Sequence, residues 1–279
     1  MLRASSIGRP VLLVAVVLVV TVAVLLAVLW LVQRRLIYVP ARESLPAAAE
    51  VLPGGRDVTL RTADGLELGG WYLPADADAY TVLMAGGNGR NRLGRTPLAR
   101  AFAGAGFGVL LFDYRGYGDS PGSPSEPGLA MDVRAAYRQL VDVERIAPER
   151  IIFFGESLGS AVVTELATEH LPAGLVLRSP FESLAAAASV HYPLVPARLL
   201  LKDRYPVAEQ IARVDVPTVV VYGTRDSVVP PEQSHEVAMR APGLIGEYVL
   251  DGADHNDEAM TAGPRLVEAV RAVAAASGS

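Results

Sequence analysis

The chain has 279 residues, 51% of them hydrophobic, enough apolar material for one sizeable α/β domain with an appendage. Its net charge of -5 comes with no Lys/Arg cluster interleaved with aromatics, which argues against a nucleic-acid partner. There is no cysteine, so disulfides, thiolate nucleophiles and Cys-ligated zinc are excluded.

A tail of residues 1–10 leads into residues 11–32, which carry no charge. As a helix this run would reach about 33 Å, against a hydrocarbon core of about 30 Å. It predicts one N-terminal transmembrane helix. The alternative, a cleaved signal peptide, calls for a shorter apolar core ending at a small-x-small site, whereas this run ends in Trp30-Leu31-Val32-Gln33-Arg34-Arg35. Arg3, Arg9 and the amino terminus nearly balance Arg34, Arg35 and Arg42, so the positive-inside rule assigns no side to the domain. Residues 33–55, with Pro40, Pro46, Pro53, Gly54 and Gly55, read as a linker.

The remaining chain, 56–279, reads as a catalytic domain. Alternating residues on either side of Asp64-Gly65 predict an antiparallel hairpin. The pattern then changes to strands at 81–85, 107–112, 151–154, 175–177, 218–222 and 247–250. Helices are expected between them, about 95–105, 129–143, 161–167, 232–240 and 264–275. Such alternation means a mostly parallel, twisted sheet with helices on both faces. Residues 181–210 break the rhythm with apolar clusters. They are expected to cap the substrate site, with Tyr192 and Leu194 as substrate-binding residues; the alternative is a packed surface excursion.

The strand at 151–154 runs directly into Gly155-Glu156-Ser157-Leu158-Gly159 and then a helical pattern. Strand, sharp turn and helix around G-x-S-x-G present a serine hydroxyl above the sheet, and the Leu158 amide at the helix N-terminus becomes an oxyanion donor. Serine needs a base, and the base an acceptor that fixes its tautomer. Of four histidines, His170, His191 and His235 fall on a helix end, the insertion and a helix, while His255 follows the last strand in a loop. His255 is therefore the expected base. Asp226, at the end of the strand at 218–222, is the expected acid, with Glu182 as the alternative. The loop after the strand at 81–85, Gly86-Gly87-Asn88-Gly89, supplies Asn88 as the second oxyanion candidate. Neither nucleotide motif is satisfied there: no Gly-Lys-Ser/Thr follows, and Arg92 stands where G-x-G-x-x-G needs its last glycine. Asp254, His255 and Asp257 lack a further spaced ligand, so no metal and no cofactor is expected.

Taken together, residues 81–89, the loop Asp113-Tyr114-Arg115-Gly116-Tyr117-Gly118, Gly155-Glu156-Ser157-Leu158-Gly159, Gly223-Thr224-Arg225-Asp226 and His255-Asn256-Asp257 resemble the α/β-hydrolase superfamily. The resemblance spans residues 56–276 and is strongest to the membrane-anchored abhydrolase branch. It implies a triad of Ser157, Asp226 and His255, with Asn88 and Leu158 as oxyanion donors. Where the family usually has His-Gly before the oxyanion residue, this chain has Gly86-Gly87. Branch members include esterases, lipases and protein-palmitate thioesterases. The expectation is a membrane-anchored serine hydrolase acting on a small-molecule or lipid-like acyl substrate, or on an acylated protein. A peptidase or amidase on the same fold is the alternative, and an inactive membrane-tethered interaction module is a third.

Overall fold

Val82, Leu83 and Met84 have no polar position among them, as expected of a strand covered on both sides. In the computed structural model, which describes residues 8–278, this segment lies inside an eight-stranded sheet. The expected tail falls mostly outside the described residues, and Arg3 with it.

From the amino terminus run helix α1 (Gly8–Ile37), strand β1 (Val39–Pro40), helix α2 (Ala48–Val51), strands β2 (Arg56–Arg61), β3 (Glu67–Leu73), β4 (Thr81–Ala85) and β5 (Gly89–Arg90), and helix α3 (Thr96–Gly104). Strand β6 (Gly108–Phe112), helix α4 (Glu126–Arg138), strand β7 (Ile151–Glu156), helix α5 (Leu158–Ala167) and strand β8 (Gly174–Arg178) follow. Short helices α6 (Leu184–His191), α7 (Ala197–Leu200) and α8 (Val207–Ile211) make up the insertion. The chain closes with β9 (Thr218–Gly223), α9 (Pro231–Arg240), β10 (Leu244–Leu250), α10 (Glu258–Thr261) and α11 (Pro264–Ser277).

The main sheet has the order β10-β9-β8-β7-β4-β6-β3-β2. The β2–β3 and β3–β6 pairs are antiparallel and the rest are parallel, as the hairpin followed by βα alternation predicts. Alternate residues of each central strand enter opposite cores. Leu83 and Phe153 pack on one side with Val163 of α5, while Val82, Met84, Ile152 and Phe154 pack on the other with Phe102 of α3 and Val270 of α11. β7 sits near the middle of the sheet, so the turn after it is anchored by neighbours on both sides.

Two expectations are corrected here. Helix α4 starts at Glu126, earlier than its apolar pattern indicates, because Ser125 accepts a hydrogen bond from Gly128 N–H and Pro127 sits in the first turn, where a missing N–H costs nothing. The helix also ends sooner, with residues 139–143 forming a wider π turn. The second correction concerns residues 33–55, which do not behave as a linker. Tyr38, Ala48 and Leu52 are buried, β1 pairs with β5, and Arg42 Nε donates to the Gly116 carbonyl at 2.9 Å. The segment lacks periodicity because it crosses the domain surface as single anchoring residues, so no sequence window registers its burial.

Candidate active site

Ser157 separates β7 from α5 with φ 52° and ψ -111°. Positive φ is unfavourable for a residue with a Cβ and persists only where the surroundings enforce it. The Ser157 N–H donates to the Arg178 carbonyl at 2.8 Å, and the Ser157 carbonyl accepts from Ser160 N–H at 2.9 Å. A Cβ on Gly159 would come within 2.1 Å of the Ala85 carbonyl oxygen, and one on Gly155 within 2.5 Å of Ser160 Cα. Both glycines are thus required for so tight a turn. Leu158 is the first residue of α5, so its N–H has no acceptor within the helix.

Asp226 and His255 come from the loops after β9 and β10, neighbouring strands whose C-terminal ends lie side by side. His255 Nδ1 lies 2.7 Å from Asp226 Oδ2. Asp226 Oδ1 accepts from the N–H groups of Val228 (3.0 Å) and Val229 (2.8 Å), which fixes the carboxylate plane toward the imidazole. Burial alone would raise the Asp226 carboxyl, but the His255 hydrogen bond, its charge and the Val229 amide outweigh it and hold the group below its ordinary range. The two loops are stitched together by Asp254, whose carboxylate accepts from Ser227 N–H at 2.7 Å and His255 N–H at 2.7 Å. Asp254 and Asp257 therefore act as loop clamps, with Asp257 Oδ2 accepting from Asp254 N–H. His170 stacks on Tyr137, His235 bonds Glu247, and His191 Nε2 lies 2.8 Å from the Val228 carbonyl.

Asn88 lies in the loop after β4, beside Ser157. Its carbonyl accepts from Val39 N–H (2.9 Å) and the Tyr117 hydroxyl (2.6 Å), and its side chain donates to the Ile37 carbonyl at 2.8 Å. The glycine pair before it has a physical reason: a Cβ on Gly86 would sit 2.4 Å from Arg95 Nε. The Arg95 guanidinium fills the space a side chain at position 86 would take, and donates to the Asn91 (2.9 Å) and Gly89 (3.0 Å) carbonyls. The loop is thereby rigidified by an arginine from outside it.

Arg95 belongs to a buried ionic group that sequence reasoning missed. Glu156, just before the serine, lies 3.3 Å from Arg95 and 3.1 Å from Arg178. Arg178, 1% exposed, also donates to the His255 carbonyl at 2.6 Å. Burial pushes the Glu156 carboxyl up, yet the charges of Arg95 and Arg178 dominate and hold it at about 2. One arginine thus joins the serine turn to the histidine loop. A signal was present, since an arginine ending the apolar strand Gly-Leu-Val-Leu-Arg must find a buried carboxylate.

Two cavities meet at Ser157. One, about 320 Å³ and mostly apolar, is lined by Phe181, Leu184, Tyr192, Val195, Leu201 and residues of α1. The other, about 510 Å³ and polar, is lined by Arg90, Arg95, Glu156, His255, Asn256 and Glu258 among others. Tyr192 lines the apolar cavity. Leu194 does not: it is 97% exposed and points away from the cavity, because the short turn between α6 and α7 carries Val195 inward instead.

The comparisons accord with this geometry. The family model described as serine aminopeptidase, S33, matches residues 76–204, which include Ser157 and end before Asp226. An uncharacterised protein of Mycobacterium tuberculosis is 47% identical over 245 residues, covering 87% of each chain. Alpha/beta hydrolase domain-containing protein 17C of Mus musculus is 33% identical over 204 residues, 71% of this chain and 61% of that protein. Among solved structures, an esterase of Pyrococcus furiosus superposes with a TM-score of 0.69 at 21% identity, over 85% of this chain and 96% of its own, a likeness of fold. The arrangement of sheet and serine turn and these relationships lead to one conclusion: the chain belongs to the α/β-hydrolase superfamily.

Proposed function

We propose that the protein is a membrane-anchored serine hydrolase that cleaves carboxylic esters or thioesters bearing an acyl chain. The observation that carries this reading is the strained Ser157 turn opening onto an apolar cavity on one side and the His255–Asp226 pair on the other. Asp226 holds His255 Nδ1, which leaves Nε2 to take the Ser157 proton. Ser157 Oγ attacks the acyl carbonyl carbon, and the developing oxyanion is met by the N–H groups of Leu158 and Asn88. His255 returns the proton to the departing oxygen or sulfur in the polar cavity. Water then repeats the attack on the acyl-enzyme, releases the acid and regenerates the serine. The part of helix α1 from Pro10 to Ile37, 28 residues and predominantly apolar, is long enough to hold the domain in a bilayer.

A second reading, a peptidase, draws on the description of the matching family model. An aminopeptidase must meet a free α-amine with an unpaired carboxylate, and Glu156 is already committed to Arg95 and Arg178, leaving Glu258. A panel of p-nitrophenyl esters, thioesters and aminoacyl p-nitroanilides assayed on the full chain in micelles separates the two. The proposal expects kcat/KM for esters or thioesters to exceed that for the anilides, and the reverse order would replace it with the peptidase.

A further inference from the structure

One wall of the apolar cavity is the end of the membrane helix. Leu29, Gln33, Leu36 and Ile37 of α1 line it, at spacings that put them on one helix face. The other face, with Val28 and Leu31 exposed at 50% and 67%, meets nothing in the domain. The contact is fixed by polar groups of a kind a simple tether would not need. Gln33, 5% exposed, donates to the Leu200 carbonyl at 3.1 Å and accepts from Lys202 N–H at 2.7 Å. Arg34 forks onto Asp203 at 2.9 and 2.8 Å, and the fully buried Asp203 carboxylate accepts a third bond from the Tyr38 hydroxyl at 3.0 Å.

The depth of these residues matters. Leu29 lies inside the uncharged run of residues 11–32, at hydrocarbon level, whereas Leu36 and Ile37 lie beyond Arg34 and Arg35, at headgroup level. From Leu29 to Ile37 the wall rises about 12 Å along the helix. Beside it the insertion exposes Tyr192, Leu194 and Leu199 at 63%, 97% and 84%, apolar surface that is unfavourable in water and suited to lipid. Trp30, with Lys202 Nζ 3.7 Å from its ring centre, marks the interface between the two levels.

We propose that α1 is a working wall of the acyl site, and that the substrate is an acyl lipid of the same bilayer. Its tail enters between α1 and the α6–α7 insertion, bringing the carbonyl up to Ser157 and the head into the polar cavity. This rests on the hydrolase reading for its chemistry, but the binding it describes does not depend on turnover.

The test uses the full chain in phosphatidylcholine nanodiscs with palmitic acid carrying a diazirine on the carbons nearest the carboxyl group. After irradiation, adducts are expected on Phe181 and Val229, cavity residues 4% and 2% exposed. Leu29→Trp, or Leu36→Trp should the first not fold, is expected to cut these adducts about fivefold or more, since an indole fills the space of several methylenes. Leu31→Trp, on the lipid face of the same helix, should leave them unchanged. In parallel, the ratio of kcat/KM for p-nitrophenyl octanoate to acetate should fall about tenfold in Leu29→Trp and hold in Leu31→Trp. Adducts confined to lipid-exposed side chains, or equal losses in Leu29→Trp and Leu31→Trp, overturn the proposal. Adducts on Phe181 without turnover would defeat the hydrolase reading and leave the acyl wall standing. Turnover with a chain-length ratio untouched by Leu29→Trp would do the opposite.

Discussion

Replacing Glu156 with Gln removes the one negative charge between Arg95 and Arg178 while keeping the shape of the side chain. The Glu156 carboxyl is held at about 2, against an ordinary value of 4.5. At about 1.36 kcal/mol per pH unit, that depression corresponds to about 3 kcal/mol of stability at neutral pH. Because the folded group titrates below the unfolded one, the contribution is complete above pH 4.5 and disappears as pH falls through about 2. For a domain of this size each kcal/mol moves the melting temperature by about 2–4 °C, so Glu156→Gln should melt about 6–12 °C lower at pH 7. Thermal unfolding of wild type and variant in detergent micelles, repeated between pH 7 and pH 3, should show the two curves converging on the acid side. Equal melting temperatures at pH 7, or a gap that does not narrow in acid, would refute the assignment of Glu156 as a charge clamp.

Three further outcomes follow from the same geometry. Asp226→Asn should keep the fold, with a melting temperature near wild type, and lower kcat about 10³–10⁴-fold, since the amide cannot fix the His255 tautomer; steady-state ester hydrolysis with a melting curve checks both halves. Gly159→Ala places a methyl group against the Ala85 carbonyl and should cost about 3 kcal/mol or prevent folding altogether, read by the yield and melting temperature of the purified chain. Arg34→Met strands the buried Asp203 carboxylate with one remaining side-chain partner, Tyr38, and should cost about 2–3 kcal/mol, less than a fully buried pair because the arginine is itself 43% exposed. Limited proteolysis at the α1–domain junction would report that loosening.

What the sequence reveals of this protein is largely what local periodicity and strict motif order encode. The run from Ile151 to Ser157 announces itself because a buried strand and a strained serine turn leave little freedom in residue choice: apart from Glu156, every position is apolar, glycine or the turn serine. Chain order leaves both Asp226 and Glu182 between Ser157 and His255; it is the side-by-side ends of β9 and β10 that bring Asp226 to His255. By contrast, Arg95, Glu156 and Arg178 come from three separate elements, and no window of sequence places three such charges together. Residues 33–55 mislead for a similar reason: prolines and glycines resemble linker composition, while the anchoring residues Tyr38 and Leu52 are scattered. Leu194 shows the limit of reasoning from apolarity alone, since an exposed leucine in an insertion beside a long apolar helix is as well suited to lipid as to a substrate.

The central claim is that Ser157 is an activated nucleophile, and labelling with a fluorophosphonate tests it most directly. Wild-type full-length chain, folded in micelles by its melting curve, should be labelled covalently, with the adduct mapped to Ser157 by mass spectrometry and abolished in Ser157→Ala. Absence of labelling in the folded wild-type chain, or equal labelling of Ser157→Ala, would contradict the account.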